Sequence, residues 1–213
     1  MRRRPLIVLI ADIVASRRLA ERSVVQRRLG TCLRRLNARK GGGLISPYTV
    51  TLGDEFQAVF SGPERLFLDA LAILIALYPV EVRFSWSVGE VQTAINRKQA
   101  IGMDGPAFHE ARRSVLRLKK TKSWFVVSGA GGDALRLMNP CLDLVSHMFR
   151  KWPRSRLTIL KGLLEGHDIR ELARDLHITD KAIYKSIDAG AIRTLVGVFQ
   201  EITGRLGDAL KIP

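Results

Sequence analysis

The first part of the chain alternates between short apolar runs and amphipathic stretches. Residues 5–11 form a continuous apolar run that stops at Asp12, which predicts a central strand covered on both faces. Apolar positions from Leu19 to Leu36 keep helical spacing and arginines fill much of the remainder, which predicts a basic amphipathic helix. After three glycines, alternation resumes on both sides of Gly53-Asp54, which predicts two strands joined by a tight turn.

The elements that follow complete an α/β pattern. A nearly all-apolar helix is predicted from Ser61 to Tyr78, and residues 82–88 alternate as a strand with one covered face. A helix around residues 110–113 and a short strand over residues 124–127 come next. The order β-α-β-turn-β-α-β-α-β predicts an α/β (α+β) sandwich with antiparallel strand neighbours. A Rossmann unit is not expected, because the chain contains no GxGxxG or Walker loop.

After Trp152-Pro153 the pattern is purely helical, so we place a domain boundary there. Residues 1–150 are then the α/β domain and residues 151–213 an all-α domain. Two helices, over 157–164 and 169–176, precede a third that Thr179 caps, and the spacing is that of a helix-turn-helix. Four apolar side chains are expected to face inward: Leu172, Leu176, Ile178 and Ile183.

Charge and composition indicate which classes of binding partner suit the protein. Lys and Arg outnumber Asp and Glu 35 to 20, and the formal charge of +15 favours phosphate-bearing partners over a merely soluble basic surface. Residues 1–40 alone hold twelve basic and two acidic residues. The two cysteines, Cys32 and Cys141, have neither disulfide-framework nor zinc spacing, and no apolar run is long enough to span a bilayer. We therefore expect a cytoplasmic protein without membrane contact.

Carboxylates at the end of the first strand and in the hairpin turn suggest a metal site. Asp12 and Asp54, with Glu55 beside it, would lie together if their strands are neighbours. Carboxylates facing one cleft bind Mg²⁺ together with substrate phosphates. Asp12 could instead cap a helix and Asp54 could serve only the turn. The start of the first helix suits a phosphate, through Ser16, Arg17 and Arg18.

The hairpin residues also carry a family resemblance. Residues 49–60 resemble the metal-bearing hairpin of nucleotide cyclases, and Gly53-Asp-Glu-Phe56 matches four of the five letters of GGDEF. Ala11-Asp-Ile-Val-Ala-Ser-Arg17 with Thr51-Leu-Gly-Asp-Glu-Phe-Gln57 resembles the SatD family of bacterial proteins more closely, over roughly residues 6–125. This resemblance implies a palm-like, ferredoxin-like and cyclase-type sheet that takes Mg²⁺ with a purine nucleotide.

The same resemblance extends to the later strand and helix. Residues 85–90 and 105–112 are similar to the later cyclase strand and its Asn-x-x-x-Arg helix, in which Arg112 matches while Phe108 holds the asparagine place. The implied metal ligands are Asp12, Asp54 and Glu55. The implied nucleotide-binding residues are Ser16, Arg17, Arg18 and Arg112.

The C-terminal helices resemble the DNA-binding helices of sigma-factor region 4 and of LuxR-type regulators, over residues 157–199. This resemblance implies that the helix after the turn enters a major groove or contacts phosphates. The residues placed there are Thr179, Lys181, Tyr184 and Lys185. The alternative is a small interaction bundle used for dimerisation.

Two functions follow from these patterns. The first is a bacterial DNA-binding transcriptional regulator, acting as a homodimer, whose palm-like domain senses a nucleotide. The rival is a Mg²⁺-dependent nucleotidyl cyclase or nucleotidyltransferase with Asp12 and Asp54 as metal ligands, and a third interpretation is a protein-interaction module. Phe108 argues against the enzyme, because an amide at that place would stabilise the transition state.

Overall fold

A five-stranded sheet with helices on both faces organises the N-terminal part of the chain, in a computed structural model that describes residues 4–15 and 21–211. Its elements, in chain order, are β1 (Leu6–Ile13), α1 (Arg22–Ala38), β2 (Leu44–Leu52), β3 (Glu55–Phe60), α2 (Leu66–Leu77), β4 (Val82–Gly89), α3 (Pro106–Lys120) and β5 (Phe125–Gly129). The predicted element order and the mixed α/β class are confirmed to this point.

The remaining described elements are helical. They are α4 (Gly132–Arg136), α5 (Asn139–Arg150), α6 (Arg154–Leu164), α7 (Ile169–Leu176), α8 (Asp180–Ala189) and α9 (Ile192–Ala209). The sequence pattern did not predict α4 and α5. None of the helices in the described part of the chain combines the length and apolar composition that a bilayer-spanning segment needs.

Strand β1 lies at the centre of the sheet, whose order is β2-β3-β1-β4-β5. It pairs antiparallel with β3 and with β4, and β2 pairs antiparallel with β3 as the predicted hairpin. The β4–β5 pair is parallel, so the expectation of antiparallel neighbours is wrong for this edge. The reason is that α3 crosses over between β4 and β5, which returns the chain in the same direction.

The two faces of the sheet differ in what covers them. Alternate β1 residues such as Ile7 and Leu9 point into the large core under α1 and α2, while Val8 and Ile10 pack against α3. Successive strand residues point to opposite faces, so Asp12 follows Val8 and Ile10 onto the α3 face. The polar ends of the strands on that face form the site described below.

Side-chain caps define the C-terminal helices. The Asp168 carboxylate accepts from the Glu171 N–H at 2.8 Å in a capping box. The Thr179 hydroxyl accepts from the Ala182 N–H at 3.2 Å, so the predicted Thr179 cap is confirmed. His177 turns the chain between α7 and α8 with a φ of 52°. Ile178 is 40% exposed, so its predicted inward orientation is wrong, because it lies in the turn and belongs to neither helix stripe.

The apolar core continues from the sheet into the C-terminal helices. Phe67 of α2 stacks on Phe199 of α9 with ring centroids 4.4 Å apart, and Phe149 of α5 meets Phe199 edge-on at 6.4 Å. Leu157 and Leu160 of α6 belong to the same buried cluster as the α2 residues. The division at residue 150 therefore marks a change of secondary structure, while the core runs across it.

Candidate functional site

Two buried carboxylates face each other across β1 and β3. Asp12 is 5% exposed and Glu55 is 7% exposed, and the two residues are direct partners in the antiparallel register. Arg83 of β4 is the partner of Asp12 on the other side. Direct partners share one face of a sheet, so all three side chains lie on the α3 face at one end of the strands.

Cationic side chains neutralise these carboxylates. Arg83 Nη1 donates to Asp12 Oδ2 at 3.0 Å, and Lys119 Nζ of α3 lies 3.4 Å from Asp12 Oδ1. Arg112 Nη1, also from α3, donates to both Glu55 oxygens at 2.7 and 2.8 Å. The side chains of Arg112 and Lys119 remain 46% and 43% exposed. The site is thus a pair of buried acids beneath two cations that solvent can reach.

The hairpin turn places Asp54 next to this pair. Asp54 is half-buried, and its backbone carbonyl accepts a 3.0 Å hydrogen bond from the Ile13 N–H, which fixes the turn against the end of β1. Gly53 has a φ of 58°, a conformation that favours glycine, and its carbonyl accepts from Gln26 Nε2 of α1 at 3.1 Å. The residue in register with Asp12 is Glu55, one position beyond Asp54.

The donor chemistry suits Mg²⁺ without forming a preassembled cage. Within residues 4–15 and 21–211, no group of three His, Cys, Asp or Glu side chains could hold a metal ion. The predicted set of Asp12, Asp54 and Glu55 is therefore not assembled as a three-ligand centre, because Asp12 and Glu55 are engaged by Arg83, Lys119 and Arg112. Mg²⁺ commonly uses one or two carboxylates completed by substrate phosphates and water, and these residues fit that mode.

Helix α3 positions both solvent-accessible cations through its buried face. Phe108 is 8% exposed and packs with Val8, Ile10 and Val115 between α3 and the sheet. An apolar ring thus anchors α3 at the position that corresponds to the asparagine of the Asn-x-x-x-Arg pattern. Arg112 and Lys119 follow at a spacing of seven residues, which is two helical turns, so both reach the same end of the strands.

Sequence reasoning found some of these groups and missed others. The structure brings Asp12, Glu55 and Arg112 together, with Glu55 in place of the expected Asp54 opposite Asp12, whereas Arg83 and Lys119 were not predicted. Two sequence features could have indicated them. Arg83 is a polar residue in the alternating pattern of β4, and Lys119 follows Arg112 at a spacing of seven residues. Ser16, Arg17 and Arg18 lie outside the described residues, so their role stays a prediction.

The predicted DNA-contacting residues lie on α8, away from the carboxylate pair. Lys181, Tyr184 and Lys185 are exposed, with Tyr184 at 48%, while Ile183 and Ile187 hold the helix on the core. Asp180 and Asp188 are on the same helix and are also exposed. The outer surface of α8 therefore carries mixed charge around one aromatic ring.

The chain is similar to a known protein family and to solved structures of other proteins. A sequence profile of the SatD family matches residues 6–198. A search of curated proteins found no match. Two solved structures, each described as a bacterial light-regulated adenylyl cyclase, are 21% and 18% identical with TM-scores of 0.42 and 0.44. Each alignment covers 58% of this chain and 42% of the other, so the chain spans less than half the length of these proteins.

Proposed function

The chain belongs to the SatD family, and we propose that this protein binds a purine nucleotide together with Mg²⁺ at the Asp12–Glu55 pair. The observation that carries the proposal is the stacking of two half-exposed cations, Arg112 and Lys119, over two buried carboxylates in direct register. Buried carboxylates are costly unless they are paired, and two of the cations that pair with them here are themselves half-exposed, so a ligand can reach the site.

Charge balance supports an exchange of partners when the ligand binds. Two acids and three cations, Arg83, Arg112 and Lys119, meet at this edge, and Asp54 lies beside them. Arg112 and Lys119 have long side chains and exposed ends, so they can turn from the carboxylates to phosphate oxygens. The carboxylates of Asp12 and Glu55 would then hold Mg²⁺, which would supply charge neutralisation for the phosphates.

We expect binding to dominate over turnover. Phosphoryl transfer depends on groups that stabilise the charge developing on the phosphate, and Phe108 offers only an apolar ring buried in the core. The protein would therefore serve as a nucleotide sensor, with cyclase or nucleotidyl-transfer chemistry as the rival. Product analysis with ATP and GTP separates the two. Rapid Mg²⁺-dependent formation of a cyclic nucleotide, lost in Asp54→Ala, would establish the rival.

Binding is tested by titration calorimetry with ATP and GTP, with and without Mg²⁺. Arg112→Ala should weaken Mg²⁺-dependent binding about tenfold, since a charge-assisted hydrogen bond is lost. Arg113→Ala is the matched control, because Arg113 is the next residue and pairs with Glu110 instead. Equal binding by both variants, or binding that ignores Mg²⁺, would contradict the proposal for this site.

DNA binding by α8 is a second candidate function. It is favoured by the Thr179 cap and by the exposed row of Lys181, Tyr184 and Lys185, which suits entry into a major groove. Such binding would make the protein a nucleotide-responsive transcriptional regulator.

A gel-shift salt series with the full chain tests this role, because the C-terminal helices share their core with the sheet. Lys181→Ala with Lys185→Ala should reduce the salt slope by about one counterion per lost phosphate contact. Unchanged affinity and slope would remove α8 from the nucleic-acid role and favour the interaction-bundle alternative.

A further inference from the structure

A cationic groove lies on the side of the sheet opposite to the carboxylate pair. It runs between α1, the C-terminal end of α2 and α6, and its cavity volume is 770 Å³. Volumes of this size are typical of pockets for small ligands, which often form where separate structural layers meet. We call this feature the arginine groove, and define it by its cationic side chains: Arg27, Arg28, Arg35, Arg39, Arg154 and Lys161.

No acidic side chain of the described residues lines the groove. Glu165, just outside, pairs with Arg39 and Lys161. Arg27, Arg28, Arg35 and Arg154 have no ion-pair partner within the described ranges, so no acid of this part of the chain neutralises them. Four uncompensated guanidinium groups around one cavity repel each other, so the arrangement favours a bound polyanion.

The floor of the groove is apolar. It is formed by Leu36, Ala72, Ile75 and Ala76, and Tyr78 also lines the groove. Cys32 also lines it, and burial raises the pKa of this thiol to about 11, so it stays neutral and contributes no negative charge near pH 7. A ligand that fills this site therefore needs an apolar or aromatic body as well as several negative charges.

We infer that the arginine groove binds a nucleotide carrying two or more phosphates, with the phosphates on the guanidinium groups and the base on the apolar floor. Planar guanidinium groups donate paired hydrogen bonds to phosphate, and the apolar lining residues offer a surface on which an aromatic base can pack. Since no carboxylate lines the groove, this binding needs no divalent cation, unlike the site at Asp12 and Glu55. The inference does not rest on the proposed function of that site.

The placement of the groove gives such a ligand a structural effect. Arg28 and Arg35 belong to α1, which covers the sheet, whereas Arg154 belongs to α6, which begins the C-terminal helices. A ligand held by both walls ties α6 to α1 and α2. Occupancy would stabilise the packing of the C-terminal helices on the sheet layer by an amount that grows with the ratio of ligand concentration to Kd.

The experiment measures the affinity of the full chain for ATP and GTP in EDTA by titration calorimetry. Arg35→Ala with Arg154→Ala removes one guanidinium from each wall and should raise Kd by about tenfold for each lost contact. The control, Arg97→Ala with Lys98→Ala, changes the net charge equally in an exposed loop on the α3 side, and should leave Kd within about twofold.

Each other result would overturn the inference. Loss of binding in EDTA would assign the nucleotide to the carboxylate pair, and equal weakening by the control would indicate diffuse charge. Inorganic tripolyphosphate binding as tightly as ATP would remove the base from the groove. An oligonucleotide that responds to the Arg35 and Arg154 changes, while ATP and GTP do not bind, would make the groove a nucleic-acid surface. Thermal melts of both variants check that the fold is intact.

Discussion

Two buried groups, Tyr48 and Cys32, keep their protons well into the alkaline range. Burial is the largest cause that raises the pKa of the Tyr48 phenol well above its ordinary 10.0, and the nearby Asp69 carboxylate adds to it. The Tyr48 hydroxyl donates to Asp69 Oδ2 at 3.0 Å. Burial likewise raises the pKa of the Cys32 thiol from 9.0 to about 11. Both side chains therefore bind their protons more tightly in the folded protein than in the unfolded chain.

The alkaline stability of the protein should reflect both groups. A raised pKa in the folded state contributes stability that is complete below the unfolded value and is lost as the pH rises through the folded value. The loss should begin above pH 9 through Cys32 and continue above pH 10 through Tyr48. Urea unfolding at pH 8 and at about pH 11 should give a smaller pH-dependent loss for Tyr48→Phe with Cys32→Ala than for the wild type.

The control for this prediction is Val25→Ala, which opens the core beside α1 without removing a titrating group. It should lower the free energy of unfolding by the same amount at both pH values. If the Tyr48 and Cys32 variant keeps the wild-type pH dependence, other groups dominate the alkaline loss.

At the scale of single residues, the sequence could place the site's chemistry but not its register. The acidic ends of β1 and the hairpin were visible as Asp12, Asp54 and Glu55. Strand pairing decides whether Asp54 or Glu55 lies opposite Asp12. A shift of one residue in the pairing would move every side chain of the strand to the other face of the sheet. Arg83 and Lys119 join the site from distant elements, so no local pattern could have paired them with Asp12.

An ion pair inside the core connects α1, β2 and α2. Arg65 precedes α2, is 7% exposed and donates from Nε to Asp69 Oδ2 at 3.1 Å and from Nη2 to the Leu36 carbonyl at 2.6 Å. The Leu36 carbonyl belongs to the last turn of α1, so the guanidinium compensates the negative end of that helix. Burial raises the pKa of the Asp69 carboxyl, and the charge of Arg65 opposes that rise.

Removing one partner of this pair should destabilise the fold markedly. Asp69→Asn leaves the Arg65 charge buried without its counterion, and we expect a loss of about 3 kcal/mol in the free energy of unfolding. Denaturation in urea measures it. Replacing both partners, as Arg65→Met with Asp69→Leu, should cost less than the sum of the single changes, because no uncompensated charge remains. A loss within about 0.5 kcal/mol for Asp69→Asn would make the pair no more important than a surface contact.

At the scale of elements, periodicity predicted the strands and helices that have one clear face. Helix α1 keeps its apolar stripe from Val25 to Leu36, whereas the expectation that β4 has one covered face is wrong, because Ser85 and Ser87 between its apolar residues are buried too. Helix α4 spans only five residues after the turn at Gly131 and Gly132, which is too short for a helical period to be recognised. The parallel pairing of β5 depends on how α3 crosses the sheet, which tertiary packing decides.

The shared core predicts that the whole chain unfolds as one cooperative unit. Phe199 of α9 stacks on Phe67 of α2, so loss of this ring should weaken both the sheet layer and the C-terminal helices. Phe199→Ala should cost about 3–5 kcal/mol. Tryptophan fluorescence, to which Trp86 in the sheet contributes, and far-ultraviolet circular dichroism should report the same midpoint in the wild type and the variant.

The contrary result is equally specific. Two separate transitions, with only the helical signal shifted by Phe199→Ala, would show that residues 151–213 unfold independently. The sequence favoured that division through Trp152-Pro153, because a change of periodicity looks the same whether or not the core behind it is continuous.

The central place of β1 has a consequence for how the protein is made. Ile7 pairs with Phe60 on one side and with Val88 on the other, and both partners are synthesised after it. At roughly 5–20 residues per second, Val88 follows Ile7 by about 4–16 seconds. During that interval β1 is an apolar segment at the ribosomal exit with both backbone edges unpaired, and it is a natural client for holding chaperones until β3 and β4 arrive.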